Sequence, residues 1–446
     1  MMKVLFLMLV IIFVTPLQPG ARIAVNTSIY EDVIKIILPK LDKKYANVTL
    51  ENYTRKIPLF EVNFTNNSLQ LSSMDPSQVS YMFKNASSKV SVKVFAIEAN
   101  VTIFASYDMA GLKDHLKCEA YMKYVYIDSE ITSSVTPTGL PYVLAKAKLH
   151  LDPSKAELVF TGGFTSKVLE FMEPIVKYFI AESVDISINR NLHKVIEDEI
   201  NTIINTFTVD MPINSYMNVS YDLSSASFYY DDALSTPLTG FIYYTGHKVA
   251  PTYNPPAIPD WDLGSKFNVQ FFLSEYLLNS GLLAAWNHDL FTYGFDYDLI
   301  DPIYMKLHCN ATEVPKLFID KDVKTNLTFY CNISALNRSD YTFTDFNAYG
   351  KLEYDLSFYF NNKAIEFTIH KVHIMDLKFI KPQDYDVQWF IDGSQELADF
   401  VSNYIDYSFL ANGIPLPDIK FLKYNRVYSK IFPQNIGLFT NISLPS

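Results

Sequence analysis

Glycine is scarce in this chain, 14 of 446 residues. No Walker loop and no dinucleotide fingerprint occurs, so no backbone cradle for nucleotide phosphates is expected. Cysteine is rarer still: Cys118, Cys309 and Cys331. Without a CxxC pair or a Cys/His cluster no zinc site is expected. Long hydrophobic runs are also missing. The longest, residues 4–14, has 11 residues, well short of the roughly 20 needed to span a bilayer. Positive charge is not in excess: 37 Lys and Arg face 48 Asp and Glu, a net charge of −11. Nucleic acid is therefore a poor partner, since the phosphate backbone needs a basic surface. Catalytic signatures are missing as well. There is no nucleophile elbow and no HExxH zinc motif, so the reading is a protein without catalytic residues, cofactor or metal. His370 and His373 are the tightest histidine pair, but on a strand positions i and i+3 point to opposite faces. Glu197, Asp198 and Glu199 form a carboxylate run that reads as the solvated side of a helix.

What is present begins with a leader pattern. Lys3 precedes the apolar run, and Pro16, Pro19, Gly20 and Ala21 break it. That is the pattern of a secretory signal, and the expectation is a secreted, extracellular protein whose mature chain starts near Ala21. Thirteen Asn-x-Ser/Thr sequons fit that compartment. They lie at Asn26, Asn47, Asn52, Asn63, Asn66, Asn85, Asn100, Asn218, Asn310, Asn326, Asn332, Asn337 and Asn441. In an oxidising compartment an odd cysteine count leaves one unpaired or intermolecular. Cys309 and Cys331 hold matching places in two strand-like runs, 304–309 and 327–331. A bridge between them closes a loop worth about 3 kcal/mol of chain entropy. Cys118 is then free or pairs with another molecule.

Apolar residues make up 49% of the chain and aromatics 15%, ample for large cores and favourable to strands. Their spacing repeats one order of elements twice. A short helix is expected at 28–46, with Ile29, Val33, Ile36, Ile37 and Leu41 on one stripe. Alternating strands follow. In one, Phe95, Ile97, Ala99, Val101 and Ile103 face inward; 122–127 and 145–151 read as others. A long helical stretch covers 167–207. Its first stripe is Val168, Phe171, Met172, Ile175 and Phe179. Its second is Leu192, Val195, Ile196, Ile200, Ile203, Ile204 and Phe207. Val184, Ile186 and Ile188 alternate between the two, which predicts a bend or break. Pro251, Pro255, Pro256 and Pro259 then make a semi-rigid spacer. After it the order returns: a short helix at 273–287, strands, and a long helix at 384–410 carrying Val387, Phe390, Ile391, Leu397, Phe400, Val401 and Tyr404. The cleanest alternation is Leu352, Tyr354, Leu356, Phe358 and Phe360, returned through Asn361-Asn362 by Ile365, Phe367 and Ile369, a hairpin. Two closing strands fall within 421–442. The division is a leader (1–20), a first unit (21–246), a linker (247–264) and a second unit (265–446).

Several residues carry a more specific likeness. They are Asn254-Pro255-Pro256 in the linker, Leu273-Ser274-Glu275-Tyr276 with Asn279 and Gly281-Leu282, and Gly413-Ile414-Pro415-Leu416-Pro417 followed by Tyr424-Asn425. In order and spacing the chain resembles the bactericidal/permeability-increasing protein family, which includes lipopolysaccharide-binding, phospholipid transfer and cholesteryl ester transfer proteins. The resemblance covers essentially the whole mature chain. It implies an α+β boomerang of two tubular lipid-binding barrels, each a twisted antiparallel sheet wrapped on a long helix, joined by a central sheet. It also implies apolar pockets. In the first barrel their walls would be Val33, Ile36, Ile37, Val168, Phe171, Met172, Ile175 and Phe179. In the second they would be Leu277, Leu278, Leu282, Phe390, Phe400, Val401 and Tyr404. The chain departs from the family in two ways. The helix segment 189–195 has no cysteine to pair with Cys118. The first half is nearly neutral, where endotoxin-binding members carry a strongly basic tip.

The expected function is binding, and transfer, of phospholipid or another lipid, with transient contact to a membrane surface or lipid particle. An acyl chain buried in a dry slot gains about 0.8 kcal/mol per methylene, so no charged site is required. The alternatives are innate recognition of bacterial lipopolysaccharide and, from another class, a structural or adhesive surface glycoprotein with filled cores.

Overall fold

In a computed structural model the described residues are 18–57, 60–109, 111–162, 166–230, 233–259, 266–300, 303–337, 342–361, 364–380, 413–417, 423–425 and 427–443. Strands dominate, and each strand pairing among these residues is antiparallel. An eight-stranded sheet belongs to the first half. Its spine runs Val48–Thr49, Phe60–Leu71, Lys89–Met109, Leu112–Val135, Pro141–His150. A seven-stranded sheet belongs to the second, from Thr292–Ile300 through Ile303–Ala311, Val323–Asn337, Thr342–Asn361 and Ala364–Ile380 to Ile414–Pro415, with Lys316–Ile319 at its edge. Between them a six-stranded sheet draws on both halves. Ala21–Asn26 pairs with Ala233–Leu238 on one side and with Val269–Ser274 on the other.

Among the described residues the α-helices are α1 (Ile29–Tyr45), α2 (Ser166–Val184), α3 (Arg190–Ile204) and α4 (Glu275–Asn287). The break expected near residues 184–188 is a π-helical turn, Asp185–Asn189, which joins α2 to α3. The extra residue of a π-turn shifts the apolar face, which is why two stripes of different phase occupy one continuous rod. Pro174 sits inside α2 and Pro39 inside α1. The helix expected at 273–287 begins two residues later, because Leu273 and Ser274 complete the strand Val269–Ser274. The long helix expected at 384–410, with Val387, Phe390, Ile391, Leu397, Phe400, Val401 and Tyr404, lies outside the described residues. So does Asn362 of the expected turn, between strands ending at Asn361 and restarting at Ala364.

Long strands must bend, and bulges do the bending. The register between Lys89–Met109 and Leu112–Val135 shifts around Val94, Ile97 and Ala99. Ala96 and Tyr124 take positive φ there, 58° and 61°. The bulge corrects the reading of Phe95 as an inward residue. Val94 and Ile97 take the buried positions, while Phe95 is 40% exposed. Cys309 and Cys331 stand directly opposite each other in register and are bonded, as expected, with Cα atoms 4.0 Å apart. Cys118 is buried among first-half core residues.

The described part of the proline spacer, residues 247–259, is fastened at several points. Lys248 bridges Asp210 at 2.8 Å and Asp222 at 2.6 Å. Tyr253 packs edge-on against Tyr276, and Asn435 Nδ2 donates to the Ala257 carbonyl at 3.0 Å. Arg22 donates to the Pro259 carbonyl at 3.0 Å.

Candidate functional site

In the first half the helical stripes meet the sheet and mesh with it. Met172, Ile175, Val176, Phe179 and Ile180 are buried in one cluster with Val62, Phe64, Val101 and Ile103. Phe179 stacks on Phe64 with centroids 4.3 Å apart. Ile37 joins this cluster, Val33 packs at its margin, and Ile36 is half-buried. Val168 falls within α2. Phe171 does not belong to a wall: it is 43% exposed on the outer side of α2. The reason is phase, since Met172, Ile175 and Phe179 set the inner face of α2 and Phe171 lies about 100° round from Met172. Ile37, Met172, Ile175 and Phe179 therefore stand in packed interior rather than around a slot.

The second half is different. Its cavity lies between α4, the seven-stranded sheet and the strands Met217–Ser220 and Phe241–Tyr244. Leu278, Gly281, Leu282 and Ala285 of α4 form one wall. Leu317, Leu327, Tyr354, Leu356, Phe367 and Ile369 of the sheet form the opposite one. Ile213, Met217, Ile242, Phe291 and Ile414 complete the ring. The cavity volume is ≈ 130 Å³, and the space between the walls with its open mouth is ≈ 1000 Å³. The side chains that offer polar atoms are Asn214, Thr325 and Tyr354.

Local sequence explains how these walls are held. Residue 274 precedes α4 in an extended conformation, yet Ser274 makes no capping bond. Its hydroxyl donates instead to the Gly20 carbonyl at 2.6 Å, tying α4 to the central sheet. Glu275 opens the helix, where a carboxylate suits the positive end of the dipole. One turn on, Asn279 makes a two-bond fork. Its Nδ2 donates to the Leu317 carbonyl at 2.9 Å, and its Oδ1 accepts from the Leu317 N–H at 2.7 Å. Ser280 Oγ accepts from the Ile242 N–H at 2.7 Å. Gly281 brings α4 close to Ile242, since a Cβ there would sit 3.1 Å from the Ile242 side chain. Gly413 holds φ at +64° and begins the segment that pairs with Ala364 and Ile365. Burial, with Tyr293 beside it, pushes the Tyr354 phenol well above its ordinary value. Its hydroxyl makes no hydrogen bond among the described residues.

Of the residues assigned to the second pocket from the sequence, Leu278 and Leu282 line the cavity. Leu277 is fully buried in the adjoining core. Phe390, Phe400, Val401 and Tyr404 lie outside the described residues. The sheet wall was missed as a site, although its signal was the alternation 352–360 and its return at 365–369. Sequence alone does not say which apolar strand residues border a cavity and which are packed.

Other sequence candidates are accounted for. Glu197 is half-buried, and its carboxylate accepts the Ala145 N–H at 2.7 Å. Glu199 pairs with Lys40 at 2.8 Å, and Asp198 is exposed. His370 and His373 do not converge; His373 bonds Asp355 at 3.1 Å. Among the described residues no group of three metal-ligating side chains gathers. Of the sequon asparagines, Asn47, Asn52, Asn66, Asn85, Asn332 and Asn441 are exposed, whereas Asn26, Asn63, Asn100, Asn218, Asn310 and Asn326 are half-buried.

With 96% of this chain and 99% of the other aligned, the molecule superposes on a crystal structure of lipopolysaccharide binding protein, at a TM-score of 0.54 and 14% identity. The fold is that of lipopolysaccharide binding protein. The P47 protein of Clostridium botulinum E1 aligns over 96% of this chain and 100% of its own at 11% identity, with a TM-score of 0.32. Takeout 1 of Epiphyas postvittana aligns over 40% of this chain and 87% of its own at 11% identity, with a TM-score of 0.25. No family model matches the chain, and no curated protein sequence matches it.

Proposed function

We propose that this chain is a secreted, glycosylated, non-enzymatic lipid-binding protein that takes apolar chains into the α4 cavity and carries them between membranes or lipid particles. The observation that carries this reading is an apolar cavity walled by Leu278, Leu282, Phe367 and Ile369, within the fold of a protein that binds lipopolysaccharide. On this reading the two large sheets are two tubular barrels set as a boomerang, each closed by a long helix. A dozen buried methylenes would supply on the order of 10 kcal/mol before ordering and association costs. The nearly neutral first half favours general lipid carriage over lipopolysaccharide recognition. An open cavity argues against the adhesive alternative, which needs filled cores.

The same reading bears on the processing site expected near Ala21. Gly20 accepts both the Ser274 N–H at 3.1 Å and the Ser274 hydroxyl at 2.6 Å, and its own N–H reaches the Thr239 carbonyl. Cleavage before Ala21 would remove those bonds and bury a charged amine at a fully buried position. On this reading a mature chain that starts upstream of Gly20 would keep those bonds. Mass spectrometry of protein secreted by a eukaryotic host tests this together with function. It should give an N-terminus before Gly20 and release co-purified lipid on solvent extraction. Protein that carries no lipid and takes none from vesicles would overturn the reading.

A further inference from the structure

The outer faces of the two large sheets repeat one pairing that the cavity does not use. In the first half Ala120 and Met122 are buried, so Tyr121 between them points outward, and it is 40% exposed. Asn100 stands directly opposite it on the paired strand, between the buried Ala99 and Val101. In the second half the bonded Cys309 and Cys331 face the interior, so their neighbours Asn310 and Tyr330 face outward. Those two are again directly opposite each other. Tyr349 extends the row on the next strand, 43% exposed, and packs edge-on against Tyr330 with centroids 5.3 Å apart. Asn100-Val101-Thr102 and Asn310-Ala311-Thr312 are both sequons. Directly opposite residues of an antiparallel pair have Cβ atoms about 4.5–5.5 Å apart. A group attached to either asparagine amide therefore lies over the neighbouring tyrosine.

Two other strand sequons lack such a partner. Asn63 stands opposite Thr54 and Ser106, and Asn326 opposite Lys316 and Glu353. Asn218 does stand opposite a tyrosine, Tyr243, but that ring is buried with the Lys248 ammonium 5.9 Å from its centroid. The Asn218 Nδ2 is also engaged, donating to Thr245 at 2.9 Å. We propose that Asn100 and Asn310 carry glycans, and that the innermost N-acetylglucosamine of each lies flat on the tyrosine across the strand pair, Tyr121 and Tyr330. This rests on the secreted, glycosylated reading and adds to it a structural role for two particular sequons. An aromatic face carries excess negative charge, and one side of a pyranose ring presents C–H groups of the opposite partial charge. The stacked sugar also takes apolar ring surface away from water. Each glycan thus covers part of the outer face of one large sheet, and Tyr349 prolongs the second platform beneath the next sugar.

The test uses the full chain secreted by a eukaryotic host and trimmed with an endoglycosidase that leaves one N-acetylglucosamine on each occupied asparagine. Peptide mapping should find that sugar at Asn100 and at Asn310. Asn310→Gln should lower the melting temperature of the trimmed protein by about 2 °C. In a Tyr330→Ser background the same replacement should cost nothing, and in Tyr330→Phe, which keeps the aromatic face, the loss should return. If Tyr330→Ser is not secreted, the same cycle at Asn100 and the exposed Tyr121 gives the reading. Asn100 or Asn310 bare while other sequons carry sugar would overturn the inference. So would equal losses from Asn310→Gln with and without the tyrosine. A chain secreted with no sugar at any sequon would sink the glycosylated reading itself and leave lipid binding standing.

Discussion

Single residues in this molecule are read most clearly where a neighbour leaves no choice. Gly350 faces Phe329 across the sheet, and the Phe329 ring covers the glycine so closely that an added Cβ would collide with it. Gly350→Ala should cost about 1–3 kcal/mol by overpacking, measured by urea unfolding. Asp355 shows how partners decide a charge. Burial pushes its carboxyl up, but hydrogen bonds from His373 and Lys324, with their charges, outweigh that and hold it below the ordinary value. A depressed carboxyl pKa adds stability that is present above the unfolded value of about 4 and is lost as pH falls through the folded one. The melting temperature of the native chain should therefore drop more between about pH 5 and about pH 3 than that of Asp355→Asn. Cys118 is the opposite case. Burial first, and the nearby Glu119 charge second, push its thiol up to about 12. It should resist maleimide in the folded protein and react on unfolding, and rapid labelling under native conditions would contradict that.

Among the elements, the recurring device is an asparagine that stands in for a missing strand. A sheet edge exposes unpaired N–H and C=O groups, and a carboxamide offers one donor and one acceptor. Asn201 bonds both groups of Val143, at 2.8 and 3.1 Å. Asn189 does the same at Leu149 with 2.7 and 3.4 Å, and Glu197 accepts from Ala145 between them. The spacings agree because four helical residues rise about 6 Å and two strand residues about 6.8 Å. Asn279 repeats the device at Leu317. Asn201→Leu should leave the Val143 pair unbonded at a cost of about 1–3 kcal/mol. Hydrogen exchange should then accelerate at Val143 before it does at Ile131 on the inner strand. The sequence made the stripes, the interrupted rod and the bonded cysteines legible, since periodicity and matching strand positions depend on nearby residues. It hid these forks. Asn189, Glu197, Asn201 and Asn279 look like any polar helix residue until the partner strand is in place. The Phe95 bulge was hidden for a like reason: alternation alone carries no mark of an inserted residue.

At the scale of the whole molecule, one apolar pattern serves two different ends. In the first half Phe64, Met172 and Phe179 close on one another; in the second, α4 and the sheet stand apart. Both are written with the same residue types, so the sequence could name Leu278 and Leu282 but could not say that they border a cavity while Met172 and Phe179 do not. Packing complementarity between distant segments decides that, and composition does not encode it locally. The central claim is that the α4 cavity receives a lipid tail, and native mass spectrometry of the full chain after incubation with lipid vesicles tests it most directly. The native protein should gain the mass of bound lipid, while Leu282→Trp, which fills the slot, should stay at its bare mass with an unchanged fold by circular dichroism. A native chain that remains lipid-free, or a Leu282→Trp chain that loads equally well, would contradict the account.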